Sequence, residues 1–152
     1  LSIYIRPFKK EDFLAFEPIE QLPKEEVEDM EFAQAIEDSK LAVTGIRNGR
    51  VIGCGGVHPT DYETQGEVWF RISKECLVNK IETLRTLKQA LKIIEETYPF
   101  EQLNAVIRCC FEKSIKLVEH LGFVQTETRT HNGKEWFVYS KLIRREKLLE
   151  EK

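Results

Sequence analysis

The sequence predicts an α+β domain, with mixed α/β character: a mostly antiparallel sheet with one parallel junction in its middle, flanked by helices. Three observations carry this. Two apolar runs flank Arg47-Asn48-Gly49-Arg50, and two more flank Asn132-Gly133. Asn-Gly between apolar runs is a strong hairpin signal, because both central residues of the turn need positive φ. Between the hairpins, Glu67–Ser73 reads as an inner strand. It leads through a polar turn, Lys74–Asn79, into a long helix, Lys80–Tyr98. That helix carries Ile81, Leu84, Leu87, Leu91, Ile94 and Tyr98 at steps of three and four, one apolar stripe to lay against a sheet.

The elements follow in order. Ser2–Arg6 alternates as a first strand, ended by Pro7, which brings no N–H to a ladder. Lys9–Glu17 reads as a helix with Phe13, Leu14 and Phe16 on its apolar side. Pro18 and Pro23 punctuate a loop. Lys24–Ser39 is a second helix, with Val27, Met30, Ala33 (or Phe32) and Ile36 inward and an acidic outer face. Leu41–Ile46 and Val51–Val57 form the first hairpin. Gly53, Gly55 and Gly56 inside its second strand mark a bulge or a close backbone approach. His58–Gly66 is a loop. After the long helix come a strand at Gln102–Arg108 and a helix at Phe111–Leu121, stopped by Gly122 as a C′ residue with Phe123 beyond. Val124–Thr130 and Lys134–Leu142 form the second hairpin. The expected division is one domain over residues 1–142 and a charged tail over 143–152.

Composition narrows the function. The chain has 152 residues, 41% hydrophobic and 32% charged, with a net charge of −3. That is one soluble domain with a real core and no global pull toward nucleic acid. No apolar run approaches the ~20 residues of a membrane span, and no leader pattern is visible at the start. The four cysteines, Cys54, Cys76, Cys109 and Cys110, form no CxxC. His58, His120 and His131 are not spaced as zinc ligands, so no metal is expected. The cysteines read as reduced thiols, mainly small buried hydrophobes, in a cytoplasmic setting; on a strand, Cys109 and Cys110 would point to opposite faces.

The strand-to-helix junction is the candidate anion site, since unpaired N–H groups and the positive dipole end meet at a helix start. Asn79 and Glu82 there have the spacing of a capping box, which would satisfy the helix end internally.

The order of elements resembles the GNAT superfamily, the acyl-CoA-dependent N-acetyltransferases. Tyr4-Ile-Arg-Pro-Phe-Lys-Lys-Glu-Asp-Phe13 resembles that family's first strand and helix, Val51-Ile-Gly-Cys-Gly-Gly56 its third strand, and Leu117-Val-Glu-His-Leu-Gly-Phe123 the close of its fourth helix. The first half is also similar to a phage-encoded GNAT-like family that includes internal virion proteins of short-tailed phages. The resemblance implies about seven strands with a splayed parallel pair, about four helices, and acetyl-CoA as cofactor. It implies transfer of the acetyl group to a primary amine, on a small molecule or a protein, by direct attack. Pantetheine would run along Phe70, Arg71 and Ile72, and the pyrophosphate would sit at Asn79, Lys80, Ile81, Glu82 and Thr83. Glu67 would be the general base, and His58 and Tyr62 would lie near the acceptor. Two positions depart from the family pattern. No glycine occurs between Gly66 and Gly122, where the family's pyrophosphate loop is glycine-rich, and Val118 stands where a Tyr acid is frequent. These departures motivate an alternative: a catalytically inactive GNAT-fold phage or prophage protein, acting in the virion or binding a partner. A homodimer through the second hairpin and the tail is a further expectation.

Overall fold

The computed structural model describes residues 2–20 and 30–143. The start of the helix expected from Lys24, and the charged tail beyond Ile143, lie outside the described residues. Seven strands form one sheet: β1 (Tyr4–Pro7), β2 (Ala42–Arg47), β3 (Arg50–Pro59), β4 (Gln65–Ile72), β5 (Gln102–Arg108), β6 (Val124–His131) and β7 (Lys134–Leu142). Their spatial order is β1-β2-β3-β4-β5-β7-β6. Every pairing is antiparallel except β4 with β5. Four α-helices accompany them: α1 (Met30–Ser39), α2 (Lys74–Val78), α3 (Lys80–Thr97) and α4 (Glu112–His120). The α+β reading and its parallel junction stand.

Both Asn-Gly hairpins form as expected. Asn48 and Gly49 have φ of 53° and 73°, and Asn132 and Gly133 have 51° and 73°, the twist that matches two right-twisted strands. Helix α4 ends as its sequence predicts: Phe123 N–H donates to Val118 O and Gly122 N–H to Glu119 O, and Phe123 is buried. These are the two hydrogen bonds of a Schellman motif.

Each sheet face has its own core. On one face α3 and α4 lie side by side, with Leu91, Ile94, Val118 and Leu121 packed on Val57, Leu103, Ala105, Ile107 and Tyr139. On the other, Phe8, Phe13, Ala33 and Ile36 cover Ala42 and Cys54, with Trp69 against them. Among the described residues that second layer covers β2 to β4, while the same face of β5 and β7 carries Arg108, Trp136 and the buried Val138.

Several local expectations need correction. The helix expected over Lys9–Glu17 is a short 3-10 turn, Lys10–Leu14. Pro18 stops any extension, and Leu14 is exposed while Phe13 is buried. The polar turn Lys74–Asn79 is the short helix α2. In α3 the stripe begins one turn late: Ile81 is 78% exposed and Thr83 is buried in its place. Thr83 Oγ1 donates to Cys76 O at 2.9 Å, which turns this side of α3 toward α2. His58 lies in β3, not in a loop, opposite Glu67.

The glycines of β3 do mark close approach. A Cβ on Gly56 would lie 2.1 Å from Leu41 O and 2.6 Å from Ala42 Cα, both backbone atoms. Gly56→Ala is therefore expected to cost about 1–3 kcal/mol, toward the upper end because the obstacle cannot rotate away. Denaturant unfolding checks this; an unchanged midpoint would mean β2 is not seated on β3 as described. Nearby, a register shift leaves Ile52 as the extra residue of β3. Its carbonyl accepts from Ser73 N–H at 3.0 Å and from the Cys76 thiol at 3.3 Å, so the bulge ties β3 to the exit of β4.

All four cysteines are free thiols. Cys54 and Cys76 are buried hydrophobes, as expected. Burial pushes the Cys54 thiol up to about 12, opposed by the Arg71 charge, and burial raises Cys76 as well. Cys109 and Cys110 differ from expectation: they sit in the turn after β5, and Cys110 is exposed. A thiol reagent on native protein should label Cys110 first and reach Cys54 and Cys76 only on unfolding. Early labelling of Cys54, read by peptide mass, would contradict this packing.

Candidate active site

The site grows from the one parallel junction. β4 and β5 pair through only three residues each: Gln65, Gly66 and Glu67 against Gln102, Leu103 and Asn104. Both strands then continue, β4 to Ile72 beside β3 and β5 to Arg108 beside β7, without touching each other's ladder. The result is a V that closes at Glu67 and opens toward the start of α3.

A polar network holds the closed end. Asn104 Oδ1 accepts from Gln102 Nε2 at 2.8 Å and from Ser140 Oγ at 2.7 Å, while Asn104 Nδ2 donates to Gln65 Oε1 at 3.2 Å. Ser140 Oγ meets Thr126 Oγ1 at 3.1 Å. These bonds join β4, β5, β7 and β6 across one row of the sheet, just below the point of divergence.

Alternation along β4 sorts its side chains. Phe70 packs on the α3/α4 face, and Ile72 beside it with Leu117 of α4. Trp69 and Arg71 face the opposite layer, and so does Glu67. Arg71 Nε donates to Phe13 O at 3.1 Å, and its guanidinium lies 4.3 Å from the Phe13 ring centroid. Burial holds its pKa below the usual arginine value. The Arg71 side chain is thus committed to the core under the 3-10 turn, away from α3 and α4.

Glu67 is half-buried at the apex, level with Asn104 on one side and His58 on the other. His58 is exposed, and Tyr62 is 69% exposed on the turn between β3 and β4. On the same face the Arg108 guanidinium lies 5.3 Å from the Trp136 ring, and Trp136 Nε1 is buried with no acceptor among the described residues. Arg129 of β6 is ion-paired with Glu127 at 2.5 Å. Its pKa is raised chiefly by that hydrogen bond, with a smaller contribution from the Glu67 charge. The face beside Glu67 is therefore polar and charged, with Val138 buried in it.

The start of α3 does not form the expected capping box. Asn79, at φ −111° and ψ 53°, turns its amide back to donate to Glu75 O at 3.0 Å. It closes α2 instead of capping α3, because α2 ends one residue earlier. The Glu82 carboxylate accepts the Ile3 N–H of the β1 end. Thr83 is buried. Of the five expected pyrophosphate residues, only Lys80 and Ile81 are exposed.

The wide end of the V holds a feature the sequence reading missed. Ile19 N–H donates to Ile72 O at 2.9 Å, and Pro18 bridges Ser73 on the edge of β4 that faces the gap. The Glu20 carboxylate then accepts from the Ser114 N–H at 2.8 Å, the Lys113 N–H at 3.3 Å and the Ser114 hydroxyl at 2.6 Å. An anion on the first turn of α4 is favourable there. Pro18–Glu20 thus spans the V from β4 to α4. Tertiary contacts this remote in sequence leave no local periodic signal.

No protein-family model and no curated protein sequence matches the chain. Solved structures match it over nearly its whole length. An Ard1 from Thermoplasma volcanium has a TM-score of 0.76 at 13% identity, covering 95% of this chain and 100% of its own. A GNAT-family acetyltransferase from Streptococcus pneumoniae has 0.74 at 14%, covering 94% and 100%. A chain of the NatC complex bound to Gag peptide and CoA has 0.75 at 11%, covering 95% and 100%. This is the GNAT acetyltransferase fold. At such identities the likeness is one of fold.

The residues of this GNAT fold fit acetyl-CoA at the strand. Past Glu67 the backbone edge of Phe70 faces the gap without a β5 partner, the kind of strip an extended amide chain can pair with. At the phosphate end the fit rests on the α3 N-terminus and Lys80, with Glu82 opposing. Among the described residues no cluster of His, Cys, Asp and Glu could hold a metal, and no helix is long and apolar enough to cross a membrane.

Proposed function

We propose that the chain is an N-acyltransferase that moves an acetyl group from acetyl-CoA to a primary amine, on a small molecule or a protein, by direct attack. The observation that carries this reading is the three-residue parallel ladder that ends at Glu67 and leaves β4 and β5 splayed. Acetyl-CoA, when bound, supplies an activated acyl group. Phe70 offers it backbone, with Ile72 next along the strand already bonded to Ile19, and Lys80 with the start of α3 offers it positive charge. Glu67 accepts the proton of the amine, with His58 and Tyr62 beside the acceptor. The domain comprises residues 1–142, works in the cytoplasm, and uses neither metal nor nucleic acid. Its pyrophosphate loop is a degenerate, glycine-free form of the family's.

A second reading has its own support. Ile19 takes the Ile72 carbonyl, Glu20 takes the first turn of α4, and Val118 has no proton to give. These features favour a non-catalytic GNAT-fold protein that binds a partner; that it comes from a phage or prophage and enters the virion rests on the resemblance of its first half. A thermal shift with acetyl-CoA, against CoA and ATP, separates the two. A ligand at about a hundred times its Kd adds roughly 2.7 kcal/mol of stability, at roughly 2–4 °C per kcal/mol for a domain of this size. A rise with acetyl-CoA and CoA but not ATP supports the enzyme. No rise at millimolar ligand removes it in favour of the binding protein.

A further inference from the structure

We propose that β6 is the self-association edge of this protein: two copies pair their β6 strands antiparallel about Thr128 and form one continuous sheet of fourteen strands. β6 ends the sheet, and every one of its eight residues is exposed. Among the described residues no strand pairs with its outer edge. Edge strands are usually blunted by proline, lysine or short length. β6 has no proline or lysine; a bulge at Thr126 interrupts it, and the regular stretch that follows reads Glu127-Thr128-Arg129-Thr130, with β-branched Thr128 and Thr130 two residues apart.

The outward backbone groups follow from the ladder. Cys109 N–H donates to Glu135 O, so odd residues of β7 bond toward β5 and even ones toward β6. Trp136 and Val138 face Arg129 and Glu127, which turns the N–H and C=O of Thr128 and Thr130 outward. A two-fold axis through Thr128 pairs those groups with their copies.

Charge selects the register. Pairing that keeps the faces of the sheet continuous can slip only in steps that keep residues of like parity opposed. With Thr128 opposite its copy, Glu127 meets Arg129 of the second copy and Arg129 meets Glu127. The two existing pairs, each at 2.5 Å, become a cluster of four alternating charges, and the regular pairing runs over Glu127–Arg129, ending at the Thr126 bulge. One step either way sets Glu127 against Glu127 or Arg129 against Arg129, and like charges directly opposite are destabilising. The partner that matches this edge is a second copy of the chain. It also sets the two faces beside Glu67 next to each other on one sheet.

Sedimentation velocity over micromolar to millimolar protein tests this, with folding of each variant checked by circular dichroism. The mass should rise with concentration toward twice 17.8 kDa. Glu127→Arg and Arg129→Glu alone should each hold it at the monomer, and the double exchange E127R/R129E should restore the dimer. Thr128→Pro should also abolish the dimer, since it removes an outward N–H and leaves the β7 ladder intact. A monomer at every concentration, a dimer indifferent to the single reversals, or a double exchange that stays monomeric would each overturn the proposal.

Discussion

Replacing Glu67 by Gln is expected to lower the turnover of amine acetylation by about 10²–10⁴-fold, the usual contribution of a positioned general base. The substitution keeps the size and hydrogen-bonding reach of the side chain and removes its basicity. Glu67 is the last residue of β4 that pairs with β5, where the gap begins, so the group that takes the proton stands at the apex and not along the slot. Its row is pinned by Asn104, Gln65 and Ser140, which hold the backbone in place when the carboxylate is changed. The acetyl-CoA thermal shift should therefore survive in Glu67→Gln while turnover falls. If turnover is unchanged, the proton leaves by another route, and His58, opposite Glu67 on β3, is the next group to replace. If the wild type binds acetyl-CoA but transfers to no amine, Glu67 is an apex carboxylate of a binding protein.

The fold was legible because its strongest determinants are local. Two Asn-Gly turns, the Gly122 helix stop and the alternation of β5 each announce themselves within a few residues, and all form where expected. The parallel junction followed from a strand, helix and strand in a row. The site was less legible, since it is assembled by contacts far apart in sequence. The side chain of Arg71 is drawn to Phe13, and Glu82 to the N–H of Ile3. Neither partner can be read from the neighbourhood of β4 or α3. Asn79 shows the limit of spacing: it has the right residue type for an N-cap, but α2 ends just before it and offers the Glu75 carbonyl first. Pro18–Glu20 is polar and turn-like in sequence, and only the sheet edge of Ile72 and the first turn of α4 give it a place.

Asp12→Ala should be among the more destabilising single changes in the chain, at about 1–3 kcal/mol, the cost of leaving a buried donor without its acceptor. Asp12 is 4% exposed. Arg6 grips both its oxygens, Nη1 to Oδ2 at 2.7 Å and Nη2 to Oδ1 at 2.8 Å. The Lys9 N–H donates to Oδ2 at 2.9 Å, and so does the fully buried Thr44 hydroxyl at 2.7 Å. Alanine leaves all of these donors without their acceptor where β1, β2 and the 3-10 turn meet. Arg6→Ala should cost less, because Asp12 keeps Thr44 and Lys9. The Arg-Pro…Asp spacing that resembles the family's opening motif is thus a structural clasp between β1, β2 and the 3-10 turn. The clasp also carries a pH signature. Burial pushes the Asp12 pKa up, but the hydrogen bonds from Arg6, Thr44 and Lys9 outweigh it and hold the carboxyl below 3.8. A carboxyl depressed by folding contributes stability that is fully present above its unfolded value. That stability is lost as pH falls through the folded value. The gap in stability between wild type and Asp12→Ala should therefore be level from neutral pH to about 5 and shrink below about 4, near the unfolded carboxyl value. Urea unfolding of both proteins across that range measures it. A gap that stays constant down to the acid limit, or an Asp12→Ala midpoint equal to that of the wild type, would show that the carboxylate does not hold β1 to β2.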